Sequence, residues 1–74
     1  MALPISNNIR RLRFDADEMT QSELADRIGM TRQTIAAIEK GKYAPSLEAA
    51  YRIAHVFGVP LDDVFQYHPE QDGK

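Results

Sequence analysis

The chain has 74 residues, no cysteine and a formal net charge of −2. This length allows one domain, and the absence of cysteine excludes disulfides, thiolate metal sites and thiol catalysis. Apolar runs fall short of the roughly 18 residues that a membrane-spanning helix needs, and the N-terminus lacks the charged start of a secretory signal. We therefore expect a cytoplasmic protein with no membrane partner.

Charge is unevenly distributed along the chain. Residues 1–53 carry eight Arg or Lys against seven Asp or Glu, a net of +1. Residues 54–74 carry one Lys against four acids, a net of −3. Because the local field at a docking face decides nucleic-acid binding, the acidic total predicts weak non-specific binding without excluding DNA as a partner.

The apolar spacing predicts five helices and no strand, which is an all-α fold. The first helix covers about residues 8–16, where Ile9, Leu12 and Ala16 form an apolar stripe. A short acidic turn over residues 15–18 follows it.

Capping signals mark the second and third helices. The second begins at Thr20, which can form a capping box with Glu23, and ends at Gly29, a residue suited to a left-handed C-terminal position. Thr31 caps the third helix and Gly41 ends it.

Two further helices complete the predicted domain. Ser46 caps the fourth, which Gly58 ends, and Pro60 opens a short fifth helix. The expected inward residues of the fourth helix are Leu47, Ala50, Ile53, Ala54 and Phe57. The expected division of the chain is an N-terminal lead, a domain and a flexible tail, over residues 1–7, 8–67 and 68–74.

The third helix has an outer face that differs from a solubilising surface. Two isoleucines define its inner side, so Arg32 and Gln33 point outward at its start and Ala36 and Ala37 lie in the middle of the exposed face. A generic helical hairpin would be expected to carry Glu and Lys at the alanine positions. A narrow face with polar groups at its N-terminal end fits a major groove about 12 Å wide.

Residues with catalytic or metal-binding potential do not form a constellation in the sequence. His55 and His68 are isolated, with no second ligand three or four residues on, and Asp62 and Asp63 suit a helix start. There is no nucleophile–base pair or Gly-rich phosphate loop. We expect neither an enzyme nor a cofactor.

Several segments, in the right order, resemble the phage-repressor/Cro-type (XRE) helix-turn-helix family. They lie at residues 9–13, 19–25, 29–35, 38–47 and 57–61. The Arg-Gln-Thr-Ile and Glu-Lys-Gly-Lys-Tyr sequences are most similar to the short, stand-alone bacterial members. The resemblance implies a compact five-helix, lambda-repressor-like DNA-binding domain with its helix-turn-helix at helices 2 and 3. The link over residues 14–18 is one residue longer than is usual in the family.

The resemblance also implies a set of DNA-contacting residues. Gln21 would bind a backbone phosphate, while Arg32 and Gln33 would bind base edges, Arg suiting guanine and Gln adenine. Ala37 would touch a thymine methyl group. The full implied set is Gln21, Thr31, Arg32, Gln33, Thr34, Ala37, Lys40, Lys42 and Tyr43, of which the last three would hold the second phosphate strand and Thr34 a phosphate or base.

A structural salt bridge between Arg13 and Glu39 is a further implication of the resemblance. It would tie the first helix to the end of the third. The position of Arg13 after Leu12, at the edge of the buried stripe, independently favours a structural role. Arg10 and Arg11 lie further outward, where phosphate attraction and a plain solvated face fit equally well.

These observations predict a sequence-specific transcriptional regulator, a repressor that binds a palindromic operator as a homodimer with helix 31–40 in the major groove. The dimer surface is expected on the fifth helix and tail, with Val64, Phe65 and Tyr67 supplying apolar area. No small-molecule ligand is expected. A DNA-binding antitoxin and a protein-interaction module of the same fold are the alternatives.

Overall fold

The computed structural model describes residues 3–72. Within that range the five helices are α1 (Ile9–Asp15), α2 (Gln21–Ile28), α3 (Arg32–Glu39), α4 (Leu47–Phe57) and α5 (Leu61–Val64). Two short strands and a 3-10 helix complete the structure: β1 (Ile5–Asn7), β2 (Phe65–Tyr67) and Pro69–Gln71. The predicted number and order of helices are confirmed.

The strand pair corrects the prediction of a fold without strands. β1 and β2 are antiparallel, with Ser6 opposite Gln66 at the centre of the pair. The His68 N–H donates to the Pro4 carbonyl at 2.7 Å and extends the pairing by one step. Strands of three residues are too short to show a two-residue alternation, so apolar periodicity could not reveal them.

Apolar residues from every helix and from the α1–α2 turn form one core among the described residues. Its buried members are Ile9, Met19, Leu24, Ala25, Ile28, Ile35, Ile38, Ile53, Ala54 and Val64. Removing this apolar surface from water is the main force that holds the short helices together. The inward side predicted for the third helix is confirmed, since its two isoleucines are buried.

Two residues are placed differently from the prediction. Leu47 was expected in the core but is 68% exposed. It is the first residue of α4, and the buried part of this helix begins only after it. Val64 was expected at a dimer surface but is fully buried, because α5 packs it into the monomer core. Tyr67 remains 59% exposed.

Side-chain caps set the helix boundaries as predicted. Thr20 and Glu23 form the capping box, with the Glu23 N–H donating to the Thr20 hydroxyl at 2.9 Å and the Thr20 N–H donating to the Glu23 carboxylate at 2.8 Å. Chiefly the bond from the Thr20 N–H, and next the Thr20 side chain, hold the pKa of the Glu23 carboxyl below its ordinary value. The Thr31 and Ser46 hydroxyls accept from the third residue of α3 and α4 in the same way.

The turn between α1 and α2 holds two consecutive left-handed residues. Asp17 and Glu18 have φ angles of 61° and 58°. This conformation brings Cβ close to the following carbonyl oxygen and costs about 1–2 kcal/mol per residue, less for Asp than for Glu. The strain falls within the link over residues 14–18.

Replacing Glu18 with Gly should therefore stabilise the fold. We expect Glu18→Gly to raise the free energy of unfolding by about 0.5–1 kcal/mol, because glycine adopts a positive φ without steric cost but loses more entropy on folding. Urea denaturation would measure the change. Ser22→Gly, inside α2, is the control and should lower stability by about 0.5 kcal/mol. A loss of stability in Glu18→Gly would contradict the strain argument.

Candidate nucleic-acid interface

The α2–α3 pair carries most of the predicted DNA contacts. Gly29 ends α2 with a φ of 73°, and the Met30 N–H donates to the Ala25 carbonyl at 2.9 Å, which turns the chain sharply into α3. The Thr31 hydroxyl accepts from the Thr34 N–H at 3.2 Å and fixes the start of α3. Both threonine hydroxyls lie 3.0 Å apart, so this cap also orients the Thr34 side chain.

The two faces of α3 differ in burial and chemistry. Ile35 and Ile38 are buried, whereas Arg32 and Gln33 are exposed in the first turn. Within residues 3–72, Arg32 has no salt-bridge partner. Its guanidinium donors suit the two acceptors of guanine, and the amide of Gln33 matches adenine. Ala37 lies half-buried further along the helix and adds no bulk.

Basic and aromatic side chains follow the C-terminal end of α3. Lys40 is the C-terminal cap, Gly41 reverses the chain with a φ of 75°, and Lys42 is exposed. Tyr43 is 49% exposed, and it lines a small cavity together with Ile5 of β1. Two cations and a phenol therefore lie together at this end of α3.

Arg13 and Glu39 form a bidentate ion pair with little exposure to water. The Nε–Oε2 distance is 2.7 Å and the Nη2–Oε1 distance is 3.1 Å, with 15% and 10% of the side chains exposed. Arg13 Nη1 also donates to the Met19 carbonyl at 2.8 Å. The pair fastens α1 and the α1–α2 turn to the last residue of α3.

Gln21 contacts the same carboxylate. Its Nε2 donates to Glu39 Oε1 at 3.2 Å, a contact between side chains that are 18 residues apart and that sequence reasoning missed. An amide nitrogen has two hydrogens, so one remains for another acceptor such as a phosphate. Glu39 therefore orients the Gln21 amide as well as pairing with Arg13.

Asn7 makes two structural contacts that the sequence did not predict. Its Nδ2 donates to the Ile38 carbonyl at 2.9 Å, and its Oδ1 accepts from the Ile9 N–H at 3.1 Å. The first bond gives a carbonyl in the last turn of α3 a second donor, beside the Gly41 N–H at 3.0 Å. The only sequence signal is an Asn just before a helix start, which does not identify a partner 31 residues away.

Metal-binding clusters and membrane-spanning helices are both absent from the described residues. The range 3–72 contains no group of three side chains that could hold a metal ion. In the same part of the chain, no helix combines the length and apolar character required to cross a bilayer.

Comparison with known proteins identifies the family. Residues 9–64 match the sequence model of the helix-turn-helix family. The chain belongs to this helix-turn-helix family. The predicted XRE-type resemblance is confirmed.

Relatives of this helix-turn-helix protein occur in archaea and bacteria. An uncharacterized HTH-type transcriptional regulator of Methanocaldococcus jannaschii is 53% identical over 53 residues, covering 72% of this chain and 80% of that protein. The HTH-type transcriptional regulator YgzD of Bacillus subtilis is 41% identical over 66 residues, covering 89% and 98%. The cryptic phage CTXphi transcriptional repressor RstR of Vibrio cholerae is 39% identical over 59 residues, covering 80% and 52%.

A solved structure supports the same fold. The crystal structure of a candidate DNA-binding protein from Bacteroides fragilis superposes with a TM-score of 0.74 at 22% identity, covering 84% of this chain and 98% of that one. Family and relatives together place the chain among DNA-binding regulators, which confirms the expectation that it is not an enzyme.

Proposed function

We propose that this protein is a sequence-specific transcriptional repressor that inserts α3 into the major groove of operator DNA. The observation that carries the proposal is the exposed Arg32–Gln33 pair at the start of α3, on a helix whose opposite face is held in the core. Small residues follow the pair, so the helix can approach the base edges closely. Repression is favoured by the likeness to RstR, a phage repressor by name.

Donors at the start of α2 and at the end of α3 would hold the DNA backbone. Gln21 lies at the first position of α2, while Lys40, Lys42 and Tyr43 follow α3. Contacts to phosphates fix the orientation of a DNA-binding helix without carrying sequence information. In this arrangement Thr31 and Thr34, at the N-terminal edge of α3, lie between the base-reading pair and the neighbouring backbone, and Ala37 faces a thymine methyl group.

We further propose that the protein binds a palindromic operator as a homodimer. Ile5 and Tyr67 are cross-strand partners on the β1–β2 pair and are 36% and 59% exposed, which leaves apolar area next to α5. Two copies related by a two-fold axis would place their α3 helices in successive major grooves, about 34 Å apart.

Selection of binding sites from random-sequence DNA with the purified chain tests the DNA reading. We expect enrichment of an inverted repeat whose half-sites are centred about 10 bp apart. A selected site without two-fold symmetry would refute the homodimer. Failure to enrich any sequence would refute base recognition and leave an interaction module of the same fold.

A substitution at Tyr67 tests the dimer surface. Tyr67→Ser should weaken dimerisation by about tenfold or more in sedimentation equilibrium, because it removes a large aromatic anchor from the proposed interface. Tyr51→Ser is the matched control, since Tyr51 is 57% exposed on α4. Equal dimerisation constants for the two variants would place the interface elsewhere.

A further inference from the structure

An open cleft of about 430 Å³ lies beside the outer face of α3. Its walls include Arg10 of α1, Gln21 of α2, and Ala36 and Lys40 from α3 and its C-terminal cap. The cleft therefore joins three elements at the edge of the proposed DNA-binding surface. No assigned DNA contact uses the α1 side of this cleft.

The electrostatics of the cleft favour an anion. Arg13 and Glu39 also line it, and their ion pair cancels the one carboxylate among its lining residues. Arg10 and Lys40 then remain as two cations without a carboxylate partner in this cleft, although Arg10 also lines a neighbouring hollow with Glu18. The second amide hydrogen of Gln21 is available beside them. Such a concave group of donors and positive charge is what a phosphate oxygen requires.

Arg10 is the residue that distinguishes this site. It is exposed and forms no salt bridge with any residue between positions 3 and 72. Arg11 is equally exposed on the same helix but does not line the cleft. Ala36 keeps the α3 side of the cleft open because its side chain is a single methyl group.

We propose that this cleft binds a phosphate of the operator backbone and that the Arg10 guanidinium donates to it beside the Gln21 amide. The inference rests on the proposed function, since it assumes α3 in the major groove. It gives a phosphate-binding role to Arg10 and not to Arg11, although the sequence alone does not distinguish the two. It also assigns to α1 a direct part in holding DNA.

Salt dependence of binding tests the proposal. Using the full chain and the selected operator, Arg10→Ala should reduce the slope of log K against log salt by about 0.9 for each bound subunit. The loss of affinity should be the same factor on the operator and on mismatched duplexes, because a phosphate contact carries no sequence information. Arg11→Ala, with an identical change of charge, should lower the slope by less than half as much.

Two further measurements separate a direct contact from a general field or a structural role. Arg10→Lys should retain the slope, because the cation is preserved. A methylphosphonate scan of the operator should find one position per half-site where the neutral linkage weakens the wild-type protein but not Arg10→Ala. Thermal unfolding of Arg10→Ala should match the wild type, since the side chain is exposed.

The results distinguish failure of the phosphate site from failure of the proposed function. If Arg10→Ala and Arg11→Ala behave alike, or if no methylphosphonate position depends on Arg10, the phosphate site is wrong. The proposed function stands in that case, provided that the wild type prefers the operator to a duplex changed at the contacted base pair and that Arg32→Ala has lost this preference. If the wild type binds no selected operator, both proposals fall.

Discussion

Arg32→Ala should weaken binding to the selected operator by about 1–3 kcal/mol for each half-site, and Gln33→Ala by a similar amount. Each substitution removes a bidentate contact and leaves the donors or acceptors of a base edge unpaired. A homodimer carries every substitution twice, so the full operator should lose about 2–6 kcal/mol per substitution. Fluorescence anisotropy at fixed salt would measure the loss.

Base-substituted operators give the sharper readout of the same prediction. Arg32→Ala should bind the operator and a duplex changed at the contacted base pair almost equally, since the contact that distinguishes them is absent. Arg27→Ala is the matched control, because Arg27 is an exposed α2 arginine that lines a groove against α4. It should weaken all sequences slightly and alike. If Arg32→Ala kept the preference of the wild type, Arg32 would not be a base-reading residue.

Local signals explain why the helices could be predicted. The capping box of Thr20 and Glu23 and the hydroxyl caps at Thr31 and Ser46 act over three residues, so their partners are visible in any short window. The outward direction of Arg32 follows from the spacing of the buried isoleucines in the same way. These features need no knowledge of the rest of the fold.

Non-local contacts explain what was missed. The pairing of Ser6 with Gln66 joins residues 60 positions apart, and the bond from Gln21 to Glu39 spans 18. Neither leaves a pattern in a short window, because each depends on how the helices pack. The exposure of Leu47 has a similar origin, since periodicity gives the face of a residue but not whether the core extends to the first turn.

These non-local contacts give α3 its fixed position. β1 reaches the last turn of α3 through Asn7, and its other side pairs with β2. A dimer formed through Tyr67 on β2 would thus be connected to α3 by one short strand. We expect the distance between the two α3 helices, and with it the half-site spacing, to depend on this connection.

Breaking the Arg13–Glu39 ion pair should lower the stability of the fold more than breaking an exposed ion pair. Glu39→Ala should lower the free energy of unfolding by about 2–3 kcal/mol, because it leaves a guanidinium that is only 15% exposed without its carboxylate. It also removes the acceptor of the Gln21 amide. Urea denaturation with an unchanged m-value would measure the effect.

Glu48→Ala is the control for this prediction. It breaks a pair of similar length, Glu48 to Arg52 at 2.6 Å, but these side chains are 75% and 55% exposed. Solvent screening limits such a pair to about 0–1 kcal/mol. The double variant Arg13→Met, Glu39→Met should recover much of the loss, because no buried charge remains unpaired. If Glu39→Ala cost no more than Glu48→Ala, the ion pair would not brace the recognition helix, and the fixed position of α3 would have to come from Asn7 and the core alone.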